Sequence, residues 1–194
     1  MDLFKLKESS YEGNAVEKII VIDQAFPNWL EDYIEQTCSS MPWNWIEIDA
    51  MHDAGKEFAL SNLTFDIASN VVNDHQNITR LLNEVLTRDV IPKAIPTAQI
   101  HRLGRVRFNG TLKGFDLNPH FDYIDSTAWV LVYYVNDSDG DTVFYDKDHT
   151  TEIFRCNYKK GRAVLFPADI YHKAEAPKNT PLRISIGVHY VMSV

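Results

Sequence analysis

The chain has 194 residues, 45% hydrophobic and 24% charged, and its 19 Lys and Arg stand against 27 Asp and Glu for a net charge of −8. That balance excludes disordered and collagen-like classes and supplies enough apolar mass for one well-buried core. An acidic surface repels phosphate backbones, so no bulk nucleic-acid binding is expected. The longest apolar run, Ala128 to Val135, falls far short of the ~20 residues of a membrane-spanning helix.

In chain order, MDLFKLKESS at the N-terminus lacks the apolar stretch and cleavage site of a secretory signal, and Cys38 and Cys156 make neither a disulfide framework nor a zinc knuckle. A cytoplasmic protein with no membrane association is the expectation. A buried strand is predicted over Lys18–Asp23. A helix follows it, with Phe26, Leu30, Tyr33, Ile34 and Cys38 forming one apolar stripe. Asn44–Asp49 reads as a short strand, and residues 51–73, which show no clean period, as a long loop or lid. A second amphipathic helix runs from about Asp74 to Arg88 and is expected to stop near Pro92.

From Thr97 the apolar period changes from 3.6 to 2, with strands near 98–108, 127–136, 142–146, 150–158, 162–166 and 182–192. Helices first and then many short strands predict an α+β, mainly β fold. The expected architecture is an antiparallel jelly roll, a cupin-like double-stranded β-helix, with N-terminal helices packed on its major sheet. One domain is expected over 1–194, with a helical support region at 1–96 and the jelly-roll core at 97–194.

The chemistry concentrates in the β-rich part. His120 and Asp122 stand at i and i+2 of an extended chain and therefore point to one face. His-x-Asp alone is cheap by composition, so further support is needed. The segment Gly161 to His172 supplies it, an apolar strand ending in a loop that presents another imidazole. Two His and one carboxylate make the facial triad that leaves coordination sites on Fe(II) open. In the last strand Arg183, Ser185, Gly187 and His189 alternate with Ile184, Ile186, Val188 and Tyr190. If the apolar side lies under the helices, the polar side faces the barrel mouth, and Arg183 is a partly buried cation with a task.

His120-x-Asp122, Tyr133-Tyr134-Val-Asn136, Gly140-Asp-Thr142-Val-Phe144-Tyr145, the Gly161-to-His172 segment and Arg183-x-Ser185 occur in that order. In this order and spacing they resemble the iron(II) and 2-oxoglutarate-dependent oxygenases, in particular the prolyl-4-hydroxylase-like branch. The resemblance implies that His120, Asp122 and His172 hold Fe(II), and that Arg183 pairs with the far carboxylate of 2-oxoglutarate with help from Ser185. Tyr133 matches a family tyrosine whose hydroxyl reaches the cosubstrate. The implied reaction consumes O2 and 2-oxoglutarate, releases succinate and carbon dioxide, and hydroxylates a substrate. Asp122, where related halogenases carry a small residue, favours hydroxylation over halogenation.

Arg183 agrees with the oxygen-sensing and bacterial protein-hydroxylase types, tilting the implied substrate toward a peptidyl proline. A free amino acid or other small metabolite is the alternative. A non-catalytic metal-binding cupin-like module is the alternative from another class, and it has no need of Arg183-x-Ser185. Substrate contacts are assigned to Arg107, which clusters with Arg102 and Arg105 and suits an acidic substrate, and to Trp129 and Tyr145 as pocket walls. Loops 51–73 and 109–118 are the expected substrate readers. His189 reads as core or rim packing, and His52, His75, His101 and His149 as structural.

Overall fold

A computed structural model of the chain describes residues 15–49, 56–73, 77–123, 125 and 127–194. In chain order it has β1 (Ile20–Ile22), α1 (Asn28–Ser40), β2 (Asn44–Asp49), β3 (Lys56–Asp66), β4 (Val71–Val72), α2 (Ile78–Val85) and α3 (Ile91–Ala94). Then come β5 (Gln99–Leu112), β6 (Ala128–Tyr134), β7 (Thr142–Tyr145), β8 (Glu152–Cys156), β9 (Ala163–Pro167), β10 (His172–Ala174) and β11 (Leu182–Ser193). The strands build an eight-stranded sheet in the order β1-β9-β6-β11-β5-β3-β2, with β4 on β3, and a three-stranded sheet β10-β7-β8. Their pairings are antiparallel. This is the mainly β jelly roll the sequence predicts.

Two apolar clusters hold the layers together. On the outer face of the large sheet, α1 contributes Leu30, Ile34 and Cys38 at successive i+4 steps, and α2 and its continuation contribute Ile78, Leu82 and Leu86. These side chains bury against Val106 and Phe108 of β5, Leu131 of β6, and Ile186, Val188 and Tyr190 of β11. Between the sheets, Val130 and Tyr134 of β6 meet Phe144 of β7, Cys156 of β8, and Val164 and Phe166 of β9. Burial of this kind stabilises by about 25 cal/mol per Å² of apolar surface, so the helices are fixed by tertiary packing more than by their own propensity.

Two expectations change. The described part of 51–73 is no lid: β3 pairs with both β2 and β5 inside the large sheet. Its buried positions include Ser61, Asn62 and Thr64, and a bulge between Leu63 and Phe65 resets the alternation, so no apolar period survives in the sequence. Residues 51–55 of that stretch, His52 among them, lie outside the described residues, as does His75. The region assigned to helical support thus also carries β1 to β4. The helical stretch also continues two residues past Pro92: a π turn at Leu86–Val90 runs directly into α3, with Pro92 at its second residue.

Candidate active site

The inner face of the large sheet forms one wall of a cavity of about 270 Å³. Register fixes which side chains share that wall. In the β11–β5 ladder Ser185 stands opposite Asn109, Gly187 opposite Arg107 and His189 opposite Arg105. Residues directly opposite point to the same face, and all of these line the cavity together with Arg183. The polar face of the last strand therefore turns inward while its apolar face lies under the helices.

His120 and His172 reach the cavity from the two sides of an isolated antiparallel bridge, in which the N–H of each donates to the carbonyl of the other at 2.8 Å. Asp122 is tied in two residues later by its N–H to the Ala168 carbonyl at 3.0 Å. One ligand atom from each of His120, Asp122 and His172 lies within 4.8 Å of the others. The donor set fits a divalent metal. His120 Nδ1 donates to the Asn118 carbonyl at 3.1 Å and His172 Nδ1 to the Ile170 carbonyl at 3.0 Å, which leaves each Nε2 lone pair free to ligate. Asp122 Oδ1 accepts from Arg105 Nη2 at 2.9 Å, and Oδ2 stands 3.6 Å from His172 Nε2. Each donor atom is thus presented by a partner behind it.

The electrostatics agree. Burial first and the neighbouring His120 second push His172 down to about 4, so its imidazole is neutral, as a metal ligand must be. Burial likewise pushes His189 down to about 4. Burial alone would raise the Asp122 carboxyl, but the surrounding His189, His172, His120 and Arg105 outweigh it and hold the group well below the usual carboxylate range. Asp122 is therefore ionised.

Arg183 is 2% exposed, yet among the described residues no carboxylate forms an ion pair with it. Its Nε donates to the Gly140 carbonyl at 2.8 Å, Nη2 to Thr142 Oγ1 at 2.9 Å and Nη1 to Ser185 Oγ at 3.2 Å. The rings of Tyr134 and Tyr158 lie 5.4 and 5.2 Å from its guanidinium carbon. A buried cation balanced by dipoles and aromatic faces alone is a receptor for an anion. Thr142 Oγ1 also accepts from Tyr134 Oη at 2.7 Å, which fills its lone pairs and leaves its own proton to donate.

Gly140 is required by this arrangement. A Cβ there would collide with the Glu175 carbonyl oxygen and stand 3.0 Å from Arg183 Cδ. Gly140→Ala is expected to displace the arginine and weaken anion binding at it by about tenfold or more, the scale of one charge-assisted hydrogen bond. Calorimetric titration of the metal-loaded variant with 2-oxoglutarate checks this against the parent.

Of the six substrate and cosubstrate residues expected from the sequence, Arg183, Ser185 and Arg107 line the cavity and the other three do not. Tyr133 belongs to the helix-side core, its ring 4.6 Å from that of Phe26. Trp129 is buried in the same cluster. The register explains both: Tyr134 pairs with inward-facing Ser185, whereas Tyr133 pairs with Ile186 and Trp129 with Tyr190, on the helix side. Tyr145 is half-buried and lies off the cavity, since Phe144, beside the His172 ring, takes the inward position. Residues the sequence left unassigned are Arg105, which grips Asp122, together with Thr142, Tyr134 and Gly140 around Arg183. His189, read as packing, stands 2.9 Å from Arg105 Nη2 and 3.7 Å from Asp122 Oδ1. His101 meets Ser193 Oγ at 3.2 Å and His149 stacks on Tyr171, both away from the cavity.

Comparison with known proteins places these features. The family model described as the 2OG-Fe(II) oxygenase superfamily matches residues 104–191, the stretch that carries the triad and Arg183. That match supports assigning the chain to this superfamily, which uses Fe(II), 2-oxoglutarate and O2. Among solved structures it is similar to an oxidoreductase of the 2OG-Fe(II) oxygenase family from Burkholderia pseudomallei, at TM-score 0.73 and 14% identity over 93% of this chain and 92% of that one. It is also similar to a Pseudomonas putida prolyl-4-hydroxylase, at TM-score 0.60 and 13% identity over 90% and 92% of the two chains. A third is the alpha-ketoglutarate-dependent carbocyclase SnoK from nogalamycin biosynthesis, at TM-score 0.64 and 11% identity over 93% and 84%. At these identities the likeness is one of fold. No curated protein sequence matches the chain. No helix among the described residues is long and apolar enough to cross a membrane.

Proposed function

We propose that the protein is a 2-oxoglutarate-dependent dioxygenase that hydroxylates an unactivated C–H bond of a peptidyl residue, a prolyl residue in the first instance. The observation that carries this reading is Arg183, a buried cation with no carboxylate partner among the described residues, on the same cavity wall that faces the His120, Asp122 and His172 donors. His120 Nε2, Asp122 Oδ2 and His172 Nε2 hold Fe(II). Arg183 binds the far carboxylate of 2-oxoglutarate, and Thr142 and Ser185 orient it.

When bound, the iron and cosubstrate supply oxidative decarboxylation, in which one oxygen atom enters succinate, carbon dioxide leaves, and the other oxygen enters the substrate C–H bond. The chain's own part is geometric and electrostatic. Arg105 fixes one oxygen of Asp122 so that the other faces the metal position. The carbonyls of Asn118 and Ile170 fix both imidazole tautomers. Gly140, Thr142 and Ser185 hold the Arg183 fork before any ligand arrives, so little ordering is left for binding to do. Val130 and Val132 line the same cavity with apolar surface and keep water from the reacting carbon.

The described part of 51–73, offered by the sequence as a cap, is a strand within the sheet, which supports an extended substrate over a small enclosed one. The fold shared with a prolyl-4-hydroxylase supports the same reading by analogy. The small-molecule alternative is favoured by the modest volume of the cavity, about 270 Å³. Succinate release from the Fe(II)-loaded protein, measured with a library of proline-containing peptides and a library of free amino acids and small acids, tests the assignment. Stimulation by peptides and an added oxygen atom on one of them is the expected result. Stimulation confined to the small compounds would move the reading to a metabolite hydroxylase, and no succinate at all would end the catalytic assignment.

A further inference from the structure

The cavity wall holds a second arginine with which no carboxylate among the described residues forms an ion pair. Arg105 and Arg107 stand at i and i+2 of β5 and face the same way, about 7 Å apart along the strand. Their situations differ. Arg105 is engaged, at 2.9 Å from both Asp122 Oδ1 and His189 Nε2, with its guanidinium 5.6 Å from the Tyr123 ring centre. Arg107 makes no hydrogen bond or ion pair among the described residues, and its Nε is shut off from solvent without an acceptor. A solvated outward face does not describe it, because it lines the same cavity as the triad and Arg183.

Arg107 is part-buried; burial and the neighbouring Arg105 disfavour its charge and Asp122 and Asp66 favour it, and an anion placed against its fork would improve that balance. Space is left for one. Gly187, directly opposite Arg107 in the ladder, has no side chain, and the nearest atoms to a Cβ there would be 3.6 Å away, at Asn109 Nδ2. Any larger residue at 187 would project into that gap. Arg183, by contrast, lies four residues up the same strand from Gly187, about 13 Å along β11. The wall therefore has two cationic poles, one at Arg183 and one at Arg107. Asp122 hangs from Arg105, next to the second pole.

We propose that Arg107 is a substrate-specificity residue and that the substrate presents a carboxylate to it while its reacting carbon lies at the triad. This inference rests on the 2-oxoglutarate assignment of Arg183, since it takes the first pole as already filled. A carboxylate suits the site better than a phosphate because one free guanidinium balances a single charge and its planar fork matches two coplanar oxygens. The Asn109 carboxamide, beside Gly187, supplies a further donor. The carboxylate comes either from an acidic side chain of a peptide or from a free acid, and the assay separates the two.

The test uses protein labelled with 15N at arginine, loaded with Zn(II) in place of iron, with Nε–H resonances assigned through Arg107→Gln and Arg183→Lys. Saturating 2-oxoglutarate is added first and should move the Arg183 signal; its failure to do so would overturn the assignment of Arg183 without touching Arg107. Four probes follow: glutamate, glutamine, and the blocked dipeptides acetyl-Glu-Pro-amide and acetyl-Gln-Pro-amide. The Arg107 signal should move saturably with the carboxylates, at least about tenfold more tightly than with the matching amides, and Arg107→Gln should erase that preference. The tighter of glutamate and the acidic dipeptide identifies the source. An Arg107 signal that no carboxylate moves, or acid and amide partners of equal affinity, would overturn the proposal.

Discussion

Replacing Arg183 with methionine should raise the dissociation constant of the metal-loaded protein for 2-oxoglutarate by at least about thirtyfold, the scale for truncating one partner of a buried, hydrogen-bonded charge pair. The reason is the asymmetry of the site. The guanidinium is buried, held by Gly140, Thr142 and Ser185, and faces no carboxylate of its own among the described residues. Its favourable partner arrives with the ligand. In a thermal melt, a given concentration of 2-oxoglutarate should therefore raise the Tm of the parent well above any rise in Arg183→Met. Arg183→Lys separates recognition from folding. It keeps the charge but loses the planar fork, so it should fold like the parent and bind with intermediate affinity. Equal affinity in parent and Arg183→Met, measured by calorimetry, would remove the arginine from the cosubstrate site.

The second large effect is expected at Asp122. Asp122→Ala deletes the only carboxylate of the triad and should lower metal affinity by more than about a hundredfold, beyond the ~10- to 100-fold typical of a residue that only supports a ligand. Arg105→Gln is the companion. Arg105 does not reach the metal position itself but grips Asp122 Oδ1 at 2.9 Å, so its loss should fall within that smaller range. Competition with a chromogenic chelator measures both. If Arg105→Gln is as damaging as Asp122→Ala, the arginine maintains the fold of the triad rather than the orientation of one ligand, and far-ultraviolet circular dichroism would show it.

How much of this was legible depended on whether a residue's face could be read from its own strand. β11 alternates polar and apolar residues without interruption, so its pattern alone placed Arg183, Ser185 and His189 on one side, and the structure keeps them there. β6 offers no such contrast. Every residue from Ala128 to Tyr134 except Val132 is buried, on one face by the helices and on the other by the second sheet. Tyr133 and Tyr134 are neighbours of one residue type, and only pairing with β11 reveals that Tyr134 looks inward. The misplacement of Trp129 has the same origin.

The grip of Arg105 on Asp122 was hidden for a different reason. It joins residues 17 apart through a side-chain contact that no local period records. Thr142 and Gly140 act through contacts to a residue more than forty positions away, which sequence spacing does not express. β3 was lost because buried threonine and asparagine, with a bulge between Leu63 and Phe65, erased its alternation.

The most direct test of the central claim is an anaerobic titration of the purified protein with Fe(II) and 2-oxoglutarate, followed in the visible range and repeated with His172→Ala. A weak metal-to-ligand charge-transfer band that develops in the parent and is missing from the folded variant is the expected result, because His172 Nε2 is one of the donors facing the shared metal position. A parent that stays folded and shows no band, or a variant that shows the same band, would contradict the assignment of this cavity to iron and 2-oxoglutarate.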